Sequence, residues 1–552
     1  MSLKQQKEHN LSEELNSNQH NDADALESVL SHVGSMGLYQ KLLFVAMMPF
    51  GIFYAFVYCV QMFIVATPQN HWCRVPALAN LSMEWRKNLS APVTSSGEIE
   101  RCMTFVTNWT YVLETMTPPP EETPMIPCQH GWEFDRVDIP YETIVSERGW
   151  VCGSASYIPI AQSFFFAGSL FGAMILGYIA DQFGRVPALI GANLIGGIGG
   201  VATIFTSGVW DFIFCRFLAG IAYDNCFMMV YILVLEYVGT QYRTLVGATS
   251  IALYFGAGSM ALPWIALWAN DWRLLMWITS LPMFIVILAP WLLPESARWL
   301  ASTGRINQAV KVLKRFETIN GTKIPDNIMG EFIVSSNTGN KKESYMALFK
   351  SAPLRKSMVL MVLYYMGGTA IFDGLVRLSD SFGLDFFVTF TLTSATEIPS
   401  IAFLVVVLDR WGRRNLGFGP MTLTGVLILI ALFVPKGITQ AALAITARFF
   451  LNMSYCASIQ WATEILPTPF RASGSSILHM TGYVATAMSP FIIYSEHIWS
   501  KLPLLFMGII SLISAGISLL LPETQGKQMP QTVTDSENII RQQRLCGKPE
   551  ND

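Results

Sequence analysis

The chain has 552 residues, 52% hydrophobic and 14% charged, with a formal net charge of −3 and a mean hydropathy of +0.40. Soluble domains carry about 25% charged residues, so this deficit places most of the chain in lipid. The near-neutral charge excludes a field that gathers nucleic acid, and no GxxxxGK[ST] loop is present to run an ATP-driven pump. Residues 1–41 are polar and read as a cytosolic tail. A spanning helix takes ~20 mostly apolar residues. Twelve such runs follow, at 42–66, 155–180, 187–207, 211–237, 244–268, 273–293, 356–378, 384–408, 416–435, 440–463, 472–495 and 501–521. No cleavable signal peptide is visible, so the first span acts as the insertion signal. This is an all-α membrane protein.

Between the first two spans, segment 67–151 is long and polar. It holds or abuts Cys73, Cys102, Cys128 and Cys152, an even set that reads as two disulfides on the oxidising side, with the pairing open. The alternative is four free thiols in an unstructured loop. The same segment carries three glycosylation sequons, at Asn80, Asn88 and Asn108. Cys59, Cys215, Cys226 and Cys456 lie in apolar runs, where buried thiols are expected. Residues 294–355 form a basic linker expected to hold amphipathic helices, and 522–552 a second tail. Arg410, Arg413 and Arg414 follow the eighth span. The positive-inside rule then puts both termini in the cytosol and 67–151 outside. The sequons at Asn10, Asn320 and Asn452 are thereby expected to stay unmodified. The outer segment is also a candidate surface for self-association into a homo-oligomer.

The two halves, 42–293 and 356–521, repeat. Asp181-Gln182-Phe183-Gly184-Arg185 recurs as Asp409-Arg410-Trp411-Gly412-Arg413, 228 positions later. Glu236 and Arg243 recur at the same offset as Glu464 and Arg471, and Leu293-Pro294-Glu295-Ser296 as Leu521-Pro522-Glu523-Thr524. This is a parallel repeat of six-helix halves, with a substrate site expected between them near the midplane. In each copy Gly permits a tight turn while Asp and Arg form charge-assisted bonds between helix ends. We read these residues as a gating latch; the bland alternative is a basic loop.

Gly177 to Arg185 and Asp409 to Arg414 resemble the signature of the major facilitator superfamily. Cys128-Gln129-His130-Gly131-Trp132-Glu133-Phe134-Asp135, Thr143 to Glu147 with Cys152, Pro294 to Leu300 and Glu464 to Thr468 resemble blocks of its organic cation, anion and zwitterion transporters. The resemblance runs from about residue 40 to 530. It implies carriage of small organic ions by rocking of the two halves, with no cofactor or metal. An enzyme is not expected: no metal-ligand cluster, nucleophile elbow or HExxH motif is present.

Charges inside spans are costly and each is a candidate for function. Asp224 is mid-span; its competing role is structural, with Arg448 as the partner. Asp373 lies below the outer end of the seventh span, or else is an outer-loop charge. Glu397 precedes Pro399 and resembles a carboxylate of the cation carriers, as Arg448 resembles a cavity arginine. Arg216 is expected at a helix end. His479 is either a proton shuttle or a packing residue. Tyr231, Phe227, Tyr365 and Phe372 match aromatic positions of the cation branch, where an ammonium gains ~0.5–2 kcal/mol over a ring face. Cys456 joins this substrate set. Two positions depart from the family: Asp224 replaces a lysine, and Tyr483 stands where a discriminating Asp or Arg is usual. The acidic balance points to a cationic or zwitterionic amine, such as a monoamine, a carnitine-like compound or an amine conjugate like carcinine. The alternatives are an organic anion carrier and a non-transporting receptor that kept the fold.

Overall fold

The computed structural model describes residues 26–93, 99–335, 351–467, 470–527, 529–530 and 533–541; the side chains at 240, 244, 335, 409, 472 and 473 also lie outside the description. Among the described residues, eleven helices are long and apolar enough to cross a membrane: Leu38–Ile64, Cys152–Phe183, Arg185–Ile204, Val209–Tyr237, Gln241–Ala269, Trp272–Leu292, Ala352–Asp380, Phe386–Leu408, Arg413–Ala431, Ile438–Ile465 and Gly474–His497. A twelfth, Leu502–Ser518, is apolar but shorter. We call them spans one to twelve. Helices are forced here, because lipid offers no partner for backbone N–H and C=O groups. Of the expected tails and linker, 1–25 with Asn10, 336–350 and 542–552 fall outside the described residues.

Small residues let the helices approach. A Cβ at Gly168 of span two would sit 2.1 Å from the Phe217 carbonyl oxygen, and one at Gly220 of span four 1.9 Å from that of Phe165. Spans two and four therefore touch backbone to backbone. Span four is broken at Tyr223 and Asp224, between helices Val209–Ala222 and Asn225–Tyr237. Span eight is broken at Thr396, between Phe386–Ala395 and Glu397–Trp411. Pro399, which has no N–H, leaves the Ala395 carbonyl without its helical donor there. Asp224 and Glu397 thus each stand at the start of a half-helix, whose positive end favours a carboxylate.

The repeated motifs occupy one end of the bundle in matching geometry. Gly184 (φ 110°) and Gly412 (φ 78°) make the turns into spans three and nine. The Glu295 carboxylate accepts from the Arg185 and Val186 N–H groups at 2.8 and 3.1 Å. Glu523 does the same for Arg413 and Arg414, both at 3.0 Å. Each carboxylate caps a helix N-terminus. Asp181 pairs with Arg185 at 2.9 Å, and Glu464 with Arg413 at 2.9 Å. Ser296 donates to Glu236, and Thr524 to Glu464. Arg243 reaches Glu27 at 3.2 Å, and Arg471 donates to the Thr463 carbonyl at 2.8 Å.

At the opposite end the long loop is folded. Disulfides join Cys73 to Cys128 and Cys102 to Cys152. The strands are the one non-helical addition to the expected class: His71–Cys73 pairs antiparallel with Trp132–Phe134, and Met103–Phe105 with Met125–Pro127. The loop is moored to span six, where Glu147 takes two bonds from Arg273, at 2.5 and 2.8 Å, and one from Trp272 at 2.9 Å. The Arg273 guanidinium is the main reason the Glu147 carboxyl lies below the usual carboxylate range. Asn80, Asn88 and Asn108 are exposed on this loop.

Candidate functional site: a cavity between the halves

A cavity of about 130 Å³ lies between the halves. Its walls include Tyr54 and Tyr58 of span one, Phe166 of span two, Tyr223, Asp224 and Phe227 of span four, and Ile251 and Phe255 of span five. The C-terminal half contributes Tyr365, Thr369, Phe372 and Asp373 of span seven, Glu397, Tyr455, Cys456 and Ile459, and His479, Tyr483 and Thr486 of span eleven. In span five, residues Ile251–Phe255 form a π-helical turn, which rotates Ile251 and Phe255 onto this wall.

The aromatic lining is a connected stack. Tyr54 lies 5.1 Å from Tyr223 and 5.7 Å from Phe227, centroid to centroid, and Tyr455 lies 5.3 Å from both Tyr365 and Phe372. The Tyr365 and Tyr455 hydroxyls are 2.8 Å apart, and His479 Nδ1 is 3.5 Å from the former. His479 therefore sits at the cavity edge in a tyrosine network.

The three carboxylates differ in their neighbours. Asp373 is 0% exposed and bonded to Arg377, Nε at 2.5 Å and Nη2 at 3.2 Å; Tyr58 donates to it at 2.7 Å. It is not an outer-loop charge. Glu397 pairs with Arg448 at 3.0 Å. That guanidinium also donates to the Phe372 carbonyl and lies 3.4 Å from the Phe372 ring centroid. The competing structural reading of Asp224, with Arg448 as its partner, does not hold: the Arg448 charge is committed to Glu397. Asp224 accepts from the Tyr483 hydroxyl, and no cation pairs with it among the described residues. The two positions that depart from the family are bonded to each other across the cavity.

Most of the sequence-derived substrate set converges here: Asp224, Phe227, Tyr365, Phe372, Asp373, Glu397, Cys456 and Tyr483 all line the cavity. Tyr231 does not, because its hydroxyl is turned towards Gly247 of span five. Arg448 stands behind Glu397. Arg216 is not at a helix end but 2% exposed within span four. Sequence reading missed Tyr54, Tyr58, Phe166, Tyr223, Phe255, Tyr455 and Arg377. Arg377 had a signal, four residues after Asp373 on one helix face. The residues expected to form the gating latch lie away from the cavity; the Asp409 side chain is outside the described residues.

Three hydrogen bonds join the halves among the described residues: Tyr58 to Asp373, Ser163 to the Ala487 carbonyl at 2.6 Å, and Tyr483 to Asp224. Near the loop end Phe63 packs on Phe386, Phe387 and Phe390 at 5.1, 6.1 and 4.9 Å. The described bonds at the motif end stay within each half.

A family profile described as "Sugar (and other) transporter" matches residues 101–534. The chain belongs to that family. It is 28% identical over 545 residues to mouse solute carrier family 22 member 2, covering 95% of this chain and 97% of the mouse protein. It is 30% identical over 550 residues to the Drosophila beta-alanine transporter (94% and 90% covered) and 29% identical over 539 residues to the Drosophila carcinine transporter (94% and 80%). Among solved structures it matches the inward-open xylose transporter of E. coli with a TM-score of 0.57 at 18% identity, covering 69% of this chain and 90% of that one. The same bacterial symporter bound to a bromo-deoxyglucose, labelled a major facilitator superfamily protein, gives 0.55 at 15% identity (94% and 99%). This likeness gives the fold, a twelve-helix major facilitator architecture. Members of the family are multi-pass membrane transporters of small organic substrates, not enzymes.

Proposed function

We propose that this protein carries small organic cations or zwitterionic amines across the plasma membrane by alternating access, with Asp224 as the ammonium site. One observation carries the reading: Asp373 and Glu397 are matched by Arg377 and Arg448, which leaves Asp224 as the unmatched carboxylate in an aromatic cavity. An ammonium there gains a charge partner and ring faces. Relatives named for beta-alanine and carcinine, both amines, are compatible with this chemistry.

In the proposed cycle the substrate displaces the Tyr483 hydroxyl from Asp224. This loosens one of the three hydrogen bonds that join the halves among the described residues and lets them rock. Asp181, Gly184, Arg185, Glu236 and Arg243, with Asp409, Gly412, Arg413, Glu464 and Arg471, form the two gating belts, placed on the cytosolic side with both termini. An inside-negative potential drives cation uptake at ~2.3 kcal/mol per charge per 100 mV. The organic anion reading gains no support from the arginines, since both near the cavity hold carboxylates. The test is uptake of a quaternary ammonium, a zwitterionic amine and an aromatic carboxylate by wild type and Asp224→Asn. Cation uptake that depends on Asp224 supports the proposal; anion uptake indifferent to Asp224 overturns it.

A further inference from the structure

His479 is half-buried on the wall between the halves, in span eleven, and is the one basic side chain among the described lining residues. Its Nδ1 is 3.5 Å from the Tyr365 hydroxyl, a long contact for a hydrogen bond. The carboxylates of the cavity are engaged elsewhere: Asp373 by Arg377, Glu397 by Arg448 and Asp224 by Tyr483. The elements packed around His479 bring hydroxyls and a thiol: Tyr365 of span seven, Tyr455 and Cys456 of span ten, and Tyr483 of its own span. Span two adds Phe166, and span twelve, Leu502–Ser518, has no ionisable residue. Tyr483, which holds Asp224, follows His479 by four residues, so the two lie on one helix face ~6 Å apart along the axis.

The charges of the cavity decide what an imidazole can do there. Three carboxylates line it, and the guanidiniums of Arg377 and Arg448 balance two. A monovalent cation at Asp224 balances the third. A zwitterion leaves the count one short. Its ammonium serves Asp224, while its own carboxylate brings a new negative charge into an enclosed site, which is unfavourable without a partner. A protonated imidazole one turn away supplies that partner, and histidine is the side chain that gains its proton between pH 8 and 5. The space suits a compact ligand. A cavity of about 150 Å³ binds benzene. One of about 130 Å³ therefore takes roughly six or seven non-hydrogen atoms. The ~6 Å between the two turns favours a carboxylate set several bonds from the nitrogen, as in an ω-amino acid, over one on the adjacent carbon.

We propose that His479 receives the carboxylate of a small ω-amino acid whose ammonium is at Asp224, and takes up one proton with it. The proton comes from the outer solution, stays on the imidazole while the carboxylate is bound, and leaves to the cytosol with the substrate. Zwitterion uptake is then proton-coupled and cation uptake is not. The proposal rests on Asp224 as the ammonium site. The test is flux into liposomes holding the purified full-length protein, with the potential clamped at zero. The probes are 4-aminobutyrate and tetramethylammonium, whose charges do not change between pH 8 and 6. An inward proton gradient is expected to accumulate 4-aminobutyrate and not tetramethylammonium. The ratio of their initial rates, 4-aminobutyrate over tetramethylammonium, rises roughly tenfold as the outer pH falls from 8 to 6. His479→Gln, which keeps a hydrogen-bonding group near Tyr365 but takes no proton, removes both responses. If that variant does not fold, the gradient experiment on the wild type decides alone. Uptake of 4-aminobutyrate that a proton gradient does not drive overturns the proposal. So does a pH response that survives in His479→Gln, or saturable tetramethylammonium uptake with none of 4-aminobutyrate. Failure of the Asp224 reading shows separately, as tetramethylammonium uptake that Asp224→Asn leaves unchanged.

Discussion

Replacing Asp224 with Asn removes one charge and little else. The side chain keeps its shape and an oxygen for the Tyr483 hydroxyl, so the bond between the halves survives. The Asp373–Arg377 and Glu397–Arg448 pairs are untouched, at 2.5 and 3.0 Å. An ammonium ~4 Å from a carboxylate gains ~4 kcal/mol at an effective dielectric of ~20. The amide oxygen of Asn returns ~1 kcal/mol as a neutral hydrogen bond, and desolvation of the substrate lowers the difference further. A net loss of ~2–3 kcal/mol corresponds to a 30- to 150-fold weaker apparent affinity for a quaternary ammonium or primary amine. The assay is initial-rate uptake against concentration, normalised to surface protein. An apparent affinity within ~3-fold of wild type, under ~0.7 kcal/mol, refutes Asp224 as the ammonium site.

Tyr483→Phe removes the hydroxyl that competes with substrate for Asp224. A hydrogen bond to a charged group is worth ~1.5–3 kcal/mol, so substrate KM falls by at least ~10-fold while the maximal rate does not rise. An unchanged KM shows that the two do not compete. Glu397→Gln leaves Arg448, itself 2% exposed, buried without its carboxylate. That costs ~3–5 kcal/mol, to be seen as a lower melting temperature, and Arg448→Met in the same chain recovers most of it. A single variant as stable as wild type argues against the pair. Glycan is expected at Asn80, Asn88 and Asn108, each read as a gel shift lost on mutation to Gln. None is expected at Asn320, whose amide already serves the Val33 carbonyl at 3.0 Å and Gln40 at 2.9 Å. Glycan on Asn320 reverses the proposed orientation.

The helices and their repeat were readable because their causes are local. Apolar runs set the spans, and Gly184 and Gly412 mark turns that need positive φ. The blocks that hold Glu295 and Glu523 were seen to repeat, but their role as caps on spans three and nine came only from the structure. What stayed hidden is long-range. The Glu397–Arg448 pair joins residues 51 apart on two helices, and the disulfides close separations of 55 and 50 residues. No spacing rule selects such partners. Tyr54, Tyr58 and Tyr455 were missed for another reason: an aromatic on a cavity wall and one in helix packing look alike in sequence. Arg216 was misplaced because its helix runs further towards the loop than its charge suggested, and its nearest polar partner, Thr203, is on another span.

The most direct measurement is potential-driven flux in liposomes holding only the purified protein. With a potassium diffusion potential, negative inside, a labelled quaternary ammonium is expected to accumulate, with faster entry as the potential grows. A labelled aromatic carboxylate neither enters nor competes. Saturable carboxylate uptake with no cation flux contradicts the account, because it requires a free positive charge where the structure has an unmatched Asp224.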